Sequence, residues 1–112
     1  MKYAILGDIH ANLEALQAVL EDTHREKVTH YACVGDVVGY ASNPHECLDI
    51  VRELQCPIVK GNHDEYAALD DECEHFRPIA AEVIKWTRQV LTPDERQWLR
   101  DLKFVRFVES FT

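Results

Sequence analysis

Short apolar runs alternate with longer amphipathic stretches along the first half of the chain. Three runs of four or five residues, Lys2–Leu6, His30–Val34 and Pro57–Lys60, have the length and composition of buried strands. Near the other end, Phe104–Val108 alternates apolar and polar residues with a period of two. This alternation predicts a fourth strand.

The stretches between these runs predict helices. Asn12 is the expected N-cap of the first helix, and Asn43 followed by Pro44 begins the second, because proline fits the first helical position. The periodicity of Pro78–Leu91 predicts a third helix. Thr92, with a glutamate three positions later, forms a capping box that opens one more short helix.

The order of these elements predicts the fold class. Because the first three strands alternate with helices, they form β-α-β units and a parallel sheet with right-handed crossovers. The polar segment 65–77 gives no firm element. A length of 112 residues allows one hydrophobic core, so we expect a single α/β domain over residues 1–112.

Composition narrows the classes of protein. Hydrophobic residues make up 46% and charged residues 29% of the chain, which is an ordinary globular balance. The net charge of −8 argues against non-specific nucleic-acid binding, since that needs a basic surface. A phosphate substrate remains compatible, because cations bound to carboxylates can reverse the local sign of the charge.

The sequence also bears on location and redox state. No apolar run approaches the roughly 20 residues that a membrane span needs, and the N-terminal run is too short for a signal peptide. We therefore expect a cytoplasmic protein without a membrane segment. Its cysteines have no metal-finger spacing and are expected to be reduced and mostly buried. They are Cys33, Cys47, Cys56 and Cys73.

All four glycines lie in three short clusters, and each cluster follows a predicted strand. The carboxyl ends of parallel strands meet at one edge of a sheet, so the topology should bring these clusters together. The glycines allow sharp turns and a close backbone approach. We call them the first, second and third glycine clusters: Gly7-Asp8-Ile9-His10, Gly35-Asp36-Val37-Val38-Gly39 and Gly61-Asn62-His63-Asp64.

The polar side chains of the three clusters indicate metal chemistry. Several carboxylates facing one another would repel unless cations were present. Oxygen and imidazole ligands suit manganese, iron, zinc or magnesium, and a carboxylate can bridge two ions. Two ions about 3.5–4 Å apart favour in-line attack of a metal-activated water on phosphorus. The candidate residues are Asp8, His10, Asp36, Asn62, His63 and Asp64.

The three clusters, in this order, resemble the first three signature blocks of the calcineurin-like phosphoesterase family. The Asp-Ile-His-Ala-Asn form of the first cluster, together with the segment Ser42–Glu46, is similar to the small bacterial and archaeal branch. The resemblance implies the N-terminal half of that family's sandwich of two sheets. It also implies hydrolysis of phosphate mono- or diesters by a metal-activated water at a dinuclear site.

The same resemblance implies a set of metal ligands. Asp8 and His10 would bind the first ion, Asp36 would bridge both ions, and Asn62 would bind the second. Two divalent cations are therefore expected, with manganese the first choice and iron, zinc, magnesium or nickel as alternatives.

Catalytic roles follow from the resemblance as well. His63 would contact the phosphoryl group of the phosphate-ester substrate, together with Asn62. It would also serve as general acid, or as electrostatic stabiliser, toward the leaving oxygen. Asp64 would orient His63.

The family's further histidine block and its Gly-His-x-His block have no counterpart before Thr112. The second ion would keep only Asp36 and Asn62, so it should bind weakly. Half of a two-sheet fold should also expose an apolar face, which predicts a homo-oligomer or a complementing C-terminal half. A non-catalytic metal-binding or protein-interaction scaffold, or an inactive fragment, remains the alternative function.

The other histidines are not expected to replace the missing ligands. His24 and His30 should have surface or packing roles. His45 is expected to be a solvated first-turn residue, with a substrate contact as the less favoured alternative. His75 falls in the uncertain polar segment, and the acidic patch 70–74 should be a solvated loop.

Overall fold

The computed structural model describes residues 2–70 and 76–106. Two strands and five helices form in that part of the chain, and strands and helices alternate up to the second helix. The elements are β1 (Tyr3–Leu6), α1 (Leu13–Arg25), β2 (His30–Cys33), α2 (Pro44–Leu54), α3 (Asn62–Ala68), α4 (Pro78–Val90) and α5 (Pro93–Asp101).

The sheet is parallel, as the alternation of elements predicts. β1 pairs with β2 in a register that runs from Tyr3 opposite His30 to Leu6 opposite Cys33, and α1 forms the crossover. The expected N-cap of α1 is confirmed. The side chain of Asn12 accepts a hydrogen bond from the backbone N–H of Ala15 at 3.1 Å. The α/β class with a parallel sheet is confirmed.

The prediction of a third strand at Pro57–Lys60 is wrong in its extent. The segment makes a single parallel bridge to β2, between Ile58 and Cys33. Pro57 has no N–H that could donate to a strand ladder. The Lys60 N–H donates instead to the carbonyl of Lys103 at 2.8 Å. The segment therefore runs beside β2 as an extended chain without a full ladder.

The fourth predicted strand, Phe104–Val108, does not form over its first three residues, and its last two lie outside the described residues. Among the described residues, no strand pairs with this segment and buries its apolar side chains. Phe104 stays 57% exposed and Val105 66% exposed, and the Lys60 ammonium lies 5.2 Å from the centre of the Phe104 ring.

Helix α3 was missed at the sequence level, because its first turn coincides with the third glycine cluster. The chain leaves Gly61 with an extended φ of −87° and enters the helix at once. The two alanines that end α3, Ala67 and Ala68, are 1% exposed and belong to the core. In no described helix is there an apolar stretch long enough to span a membrane.

The core lies between the sheet and helices α1, α2, α3 and α5. Leu48 of α2 and Leu99 of α5 are fully buried in it. Burial raises the pKa of Cys33 and of Cys47 to about 11, which keeps both thiols protonated and unreactive. These two cysteines and the half-buried Cys56 are free, as expected, and Cys73 lies outside the described residues.

His45 joins α2 to α5 and does not point into the glycine clusters. Its Nδ1 hydrogen-bonds the carboxylate of Glu95, and its Nε2 lies 3.2 Å from an oxygen of Asp49. Glu95 is only 3% exposed and also accepts the Thr92 N–H at 2.9 Å, which confirms the capping box of α5. His45 is exposed in the first turn of α2, as expected, and in addition pairs with these two carboxylates.

The stability of the fold should depend on pH through His45. The hydrogen bond to Glu95, and then the charges of Glu95 and Asp49, raise the pKa of His45 above its ordinary 6.5. The contribution of protonated His45 to the free energy of unfolding should be complete below pH 6.5. It should disappear as the pH rises through the raised pKa of His45. We expect the His45→Gln variant to melt at a lower temperature than the wild type. The difference should be largest at about pH 5.5–6 and should become small at roughly pH 9.

The matched control is His24→Gln, which changes an exposed histidine on α1. A difference between wild type and His45→Gln that stays constant with pH would contradict the prediction.

Candidate metal centre

The loops that follow β1 and β2 are joined through their backbones. The His10 N–H donates to the carbonyl of Asp36 at 2.8 Å, and the Ala11 N–H donates to the carbonyl of Val37 at 2.8 Å. This pairing continues the parallel arrangement beyond the strand ends. It places the side chains of the first two glycine clusters side by side, as the topology predicts.

Asp8, His10 and Asp36 form a compact group of ligand atoms. One atom from each lies within 4.8 Å of the others. The Nε2 atom of His10 is 3.5 Å from an Asp8 oxygen and 4.0 Å from an Asp36 oxygen. The Asp8 side chain is 85% exposed, whereas the other two are about one-fifth exposed. The group is therefore open on one side.

The orientation of the His10 ring suits a metal ligand. Its Nδ1 lies 3.2 Å from the carbonyl oxygen of Val38, which can only accept a hydrogen bond. Nδ1 therefore donates in this contact, which leaves Nε2, the ring nitrogen on the side of the two carboxylates, as the atom that could bind a cation. Histidine ligands of metals are commonly held by a carbonyl in this way.

The backbone around this group is strained. Asp8, His10 and Asp36 all have positive φ, at 52°, 47° and 56°. Such conformations are unfavourable for residues with a Cβ and tend to collect at functional sites. Ala11 and Tyr40 nearby share this conformation, with φ of 60° and 73°. The side chains are thus aimed by loops that the surrounding hydrogen bonds hold in place.

The third glycine cluster joins the site through the first turn of α3. The His63 N–H donates to Asp36 Oδ1 at 3.1 Å. The His63 ring centre lies 5.0 Å from that of His10 and 4.7 Å from that of Tyr40. Asn62 is exposed and lines the same shallow pocket as His63 and Tyr40.

His63 is buried and has an unused ring nitrogen. Its Nδ1 is inaccessible and finds no hydrogen-bond partner in the described part of the chain. Burial lowers the pKa of His63, and the neighbouring His10 lowers it further, although Asp36 opposes both effects. A buried polar atom without a partner is costly, and this nitrogen lies against Gly39, so the position of the ring is set at some cost in free energy.

Two glycines are required by the close approach of these groups. A Cβ at Gly39 would stand 2.5 Å from His63 Nδ1, and φ is +96° there. At Gly61, a Cβ would stand 2.2 Å from Asp36 Oδ1. The expectation that the glycines serve the backbone of the site is confirmed at these two positions.

The Asp64 carboxylate accepts four backbone hydrogen bonds and is fully buried. Oδ2 accepts from the N–H of Asp36 at 2.7 Å and of Gly61 at 3.0 Å. Oδ1 accepts from Val37 at 2.9 Å and from Val38 at 3.3 Å. Burial raises the pKa of Asp64, although these donors counteract the effect. The carboxylate thus ties α3 to the second glycine cluster.

Asp64 does not hydrogen-bond the His63 ring in the part of the chain that the structure describes. It reaches His63 through the backbone of α3, whose start it holds. Its role in orienting the ring stays a prediction.

Several residues of the pocket were not found by sequence reasoning. Besides Asn62 and His63, it is lined by Tyr40, Phe76, Arg77, Ile79 and Ala80. Tyr40 directly follows a glycine cluster, which was an available signal. Phe76 and Arg77 lie far along the chain in a segment without a firm prediction, and their position depends on tertiary packing.

A second group with ligand atoms, His45, Asp49 and Glu95, lies away from this pocket. Both ring nitrogens of His45 already face a carboxylate. His24 and His30 are exposed, as expected.

Replacing Asp64 by asparagine should destabilise the protein strongly. An amide would turn an NH₂ donor toward backbone N–H donors, which leaves some of them buried without an acceptor. The expected loss is about 3 kcal/mol of unfolding free energy, since one buried donor without a partner costs about 1–3 kcal/mol. Urea denaturation followed by circular dichroism measures it.

The control is Asp22→Asn, which changes an exposed aspartate on α1. Equal losses in the two variants would show that the four backbone contacts of Asp64 contribute little.

Comparisons with known proteins agree with this geometry. The family model described as calcineurin-like phosphoesterase matches residues 1–109. An uncharacterized protein of Methanocaldococcus jannaschii is 38% identical over 102 residues, which is 91% of this chain and 42% of that protein.

Solved structures give the same result. The crystal structure of a metallophosphoesterase from Sphaerobacter thermophilus superposes with a TM-score of 0.76 at 39% identity, over 91% of this chain and 41% of that one. A protein described as a candidate diadenosine tetraphosphatase has the same fold, with a TM-score of 0.66 at 21% identity over 89% and 42% of the two chains. This chain therefore spans about two-fifths of the length of these relatives.

Proposed function

Because this chain belongs to the calcineurin-like phosphoesterase family, we propose that it carries the metal-binding and proton-donating part of a phosphate mono- or diesterase site. The observation that supports this most directly is the convergence of three glycine clusters. They bring Asp8, His10 and Asp36 within 4.8 Å of one another, with His63 hydrogen-bonded to Asp36 through its backbone.

The donor set fits divalent metal ions. Asp8 and His10 would hold the first ion, Asp36 would lie between both ions, and Asn62 would hold the second. When bound, the ions would supply an activated water and neutralise charge on the phosphoryl oxygens. The paired carboxylates around the His10 Nε2 atom favour a hard or borderline cation. We expect manganese first, with iron, zinc, magnesium or nickel as alternatives.

The residues of the chain itself would bind and protonate the substrate. Asn62 and His63 line one pocket and would contact the phosphoryl group of a phosphate ester. His63 would deliver a proton to the leaving oxygen, and its ring is held by the Tyr40 ring and by the tight packing against Gly39. Asp64 would keep the start of α3, and so the His63 backbone, in place.

Manganese should raise the melting temperature of the wild-type chain, because binding to the folded state alone stabilises that state. Asp36→Asn should abolish most of the increase, since Asp36 would serve both ions. Differential scanning fluorimetry with increasing manganese measures the effect.

Asp22→Asn serves as the control, because Asp22 is an exposed aspartate on α1 that pairs with Arg25. A wild type whose melting temperature does not respond to saturating manganese would contradict the metal site in the isolated chain.

The partner would be a second protein segment that completes the site. Ile5 and Val34 are 55% and 57% exposed on the same face of the sheet, which is an uncovered apolar surface. Since the chain spans about two-fifths of its relatives, we favour a complementing C-terminal half over a homo-oligomer. We also propose that the protein works in the cytoplasm.

Phosphoesterase activity should depend on that completion. With manganese, the chain alone should hydrolyse p-nitrophenyl phosphate and bis-p-nitrophenyl phosphate slowly. A co-expressed C-terminal segment of the Sphaerobacter thermophilus relative should raise the rate by about 100-fold, as proper coordination is restored. Stopped-time absorbance assays measure both rates.

His63→Ala should remove the activity in either preparation, and His24→Ala is the control. Equal rates for wild type and His63→Ala in both preparations would favour the alternative, a non-catalytic scaffold of the same fold.

A further inference from the structure

Helix α3 has no basic side chain of its own at its C-terminal end, where a positive charge would stabilise the helix dipole. It has seven residues and no basic side chain in its last turn. The negative end of its dipole and its last carbonyls must be satisfied by other groups, because the chain leaves the helix at Leu69. Arginines from α4 and α5 supply this.

Arg96 of α5 makes most of these contacts. Its Nε donates to the carbonyl of Ala67 at 3.1 Å. Its Nη2 lies 2.9 Å from the carbonyl of Leu69, 3.2 Å from that of Ala68 and 2.7 Å from an Asp70 oxygen. The Arg96 side chain is 22% exposed, so these bonds are partly shielded from water. The planar guanidinium is thereby fixed across the end of the helix.

Two more arginines complete the cap. Arg100, one turn further along α5, donates from Nη2 to the carbonyl of Ala68 at 2.6 Å. Arg88, in the last turn of α4, donates from Nε to the carbonyl of Tyr66 at 2.7 Å. We call Arg88, Arg96 and Arg100 the arginine cap.

The opposite end of the same helix carries the site. Asn62 and His63 occupy its first turn, and the whole helix is only about 10 Å long, given a rise of about 1.5 Å per residue. A helix of seven residues is unstable by itself, so its position depends on what holds its two ends. Asp64 holds the first end and the arginine cap holds the second.

We propose that Arg96 is a positioning residue for the site, acting through α3 on Asn62 and His63. The inference rests on the proposed function for its catalytic meaning. The structural part of the inference does not depend on the proposed function. It states that the Arg96 guanidinium fixes the axial position and the rotation of α3. A displacement of about 1 Å at a reacting group can change a rate by about 100-fold, so a remote cap can matter to chemistry.

The test compares Arg96→Met and Arg96→Lys with Arg52→Met in the 112-residue chain. Arg52 also binds α5, through Asp94 at 3.1 Å and over the Trp98 ring, and both of these contacts are to α5 rather than to α3. It therefore controls for the loss of an arginine contact to α5.

The readouts are the manganese dissociation constant by calorimetry and the imidazole ¹H–¹⁵N signals of His63 in metal-free protein. Arg96→Met should weaken manganese binding by about 10-fold and shift the His63 signals, as the loss of a supporting contact does at metal sites. Arg96→Lys keeps the charge and should restore part of both. Arg52→Met should leave both close to wild type.

A purely structural role predicts a different result. If Arg96→Met lowers the melting temperature but leaves manganese affinity and the His63 signals as in Arg52→Met, the inference is overturned. If Arg96→Met does not fold, Arg96→Lys and Arg100→Met take its place, and unchanged His63 signals in both overturn it. A wild type that does not bind manganese would contradict the proposed function, and the His63 signals would still decide the positioning role.

Discussion

The buried carboxylate of Asp64 is the contact on which the rest of the site depends. It takes backbone N–H groups from the loop after β2 and from the start of α3, and so fixes two segments that are far apart in sequence. A negative charge at full burial is unfavourable unless donors surround it. The four N–H donors provide that compensation, and the need for them makes the geometry of the loop specific.

The loops next to this contact combine strained backbone conformations with neighbouring negative charges. Asp8, His10 and Asp36 all take left-handed conformations, and two of them are carboxylates close together. Neither feature helps folding, because both cost free energy that packing elsewhere must offset. Their coincidence at one edge of the sheet is what a site prepared for cations requires, and it agrees with the family to which the chain belongs.

Helix α3 connects this edge to the remainder of the fold. Its first turn carries Asn62 and His63, and its last turn is held by arginines from two later helices. Both of these helices pack against α3, and the positioning role proposed for Arg96 depends on that packing. The uncovered apolar face at Ile5 and Val34 lies on the sheet and leaves this arrangement intact.

The sequence by itself determined the α/β class, the parallel pairing of β1 with β2, the caps at Asn12 and Thr92 and the gathering of the three glycine clusters. These follow from local periodicity, capping chemistry and the rule that parallel strands end at one edge. The tertiary structure decided the reduction of Pro57–Lys60 to a single bridge, the helix begun at Asn62, the pairing of His45 with Glu95 and the arginines at the end of α3. Each of these depends on a partner tens of residues away, and only packing in three dimensions specifies such a partner.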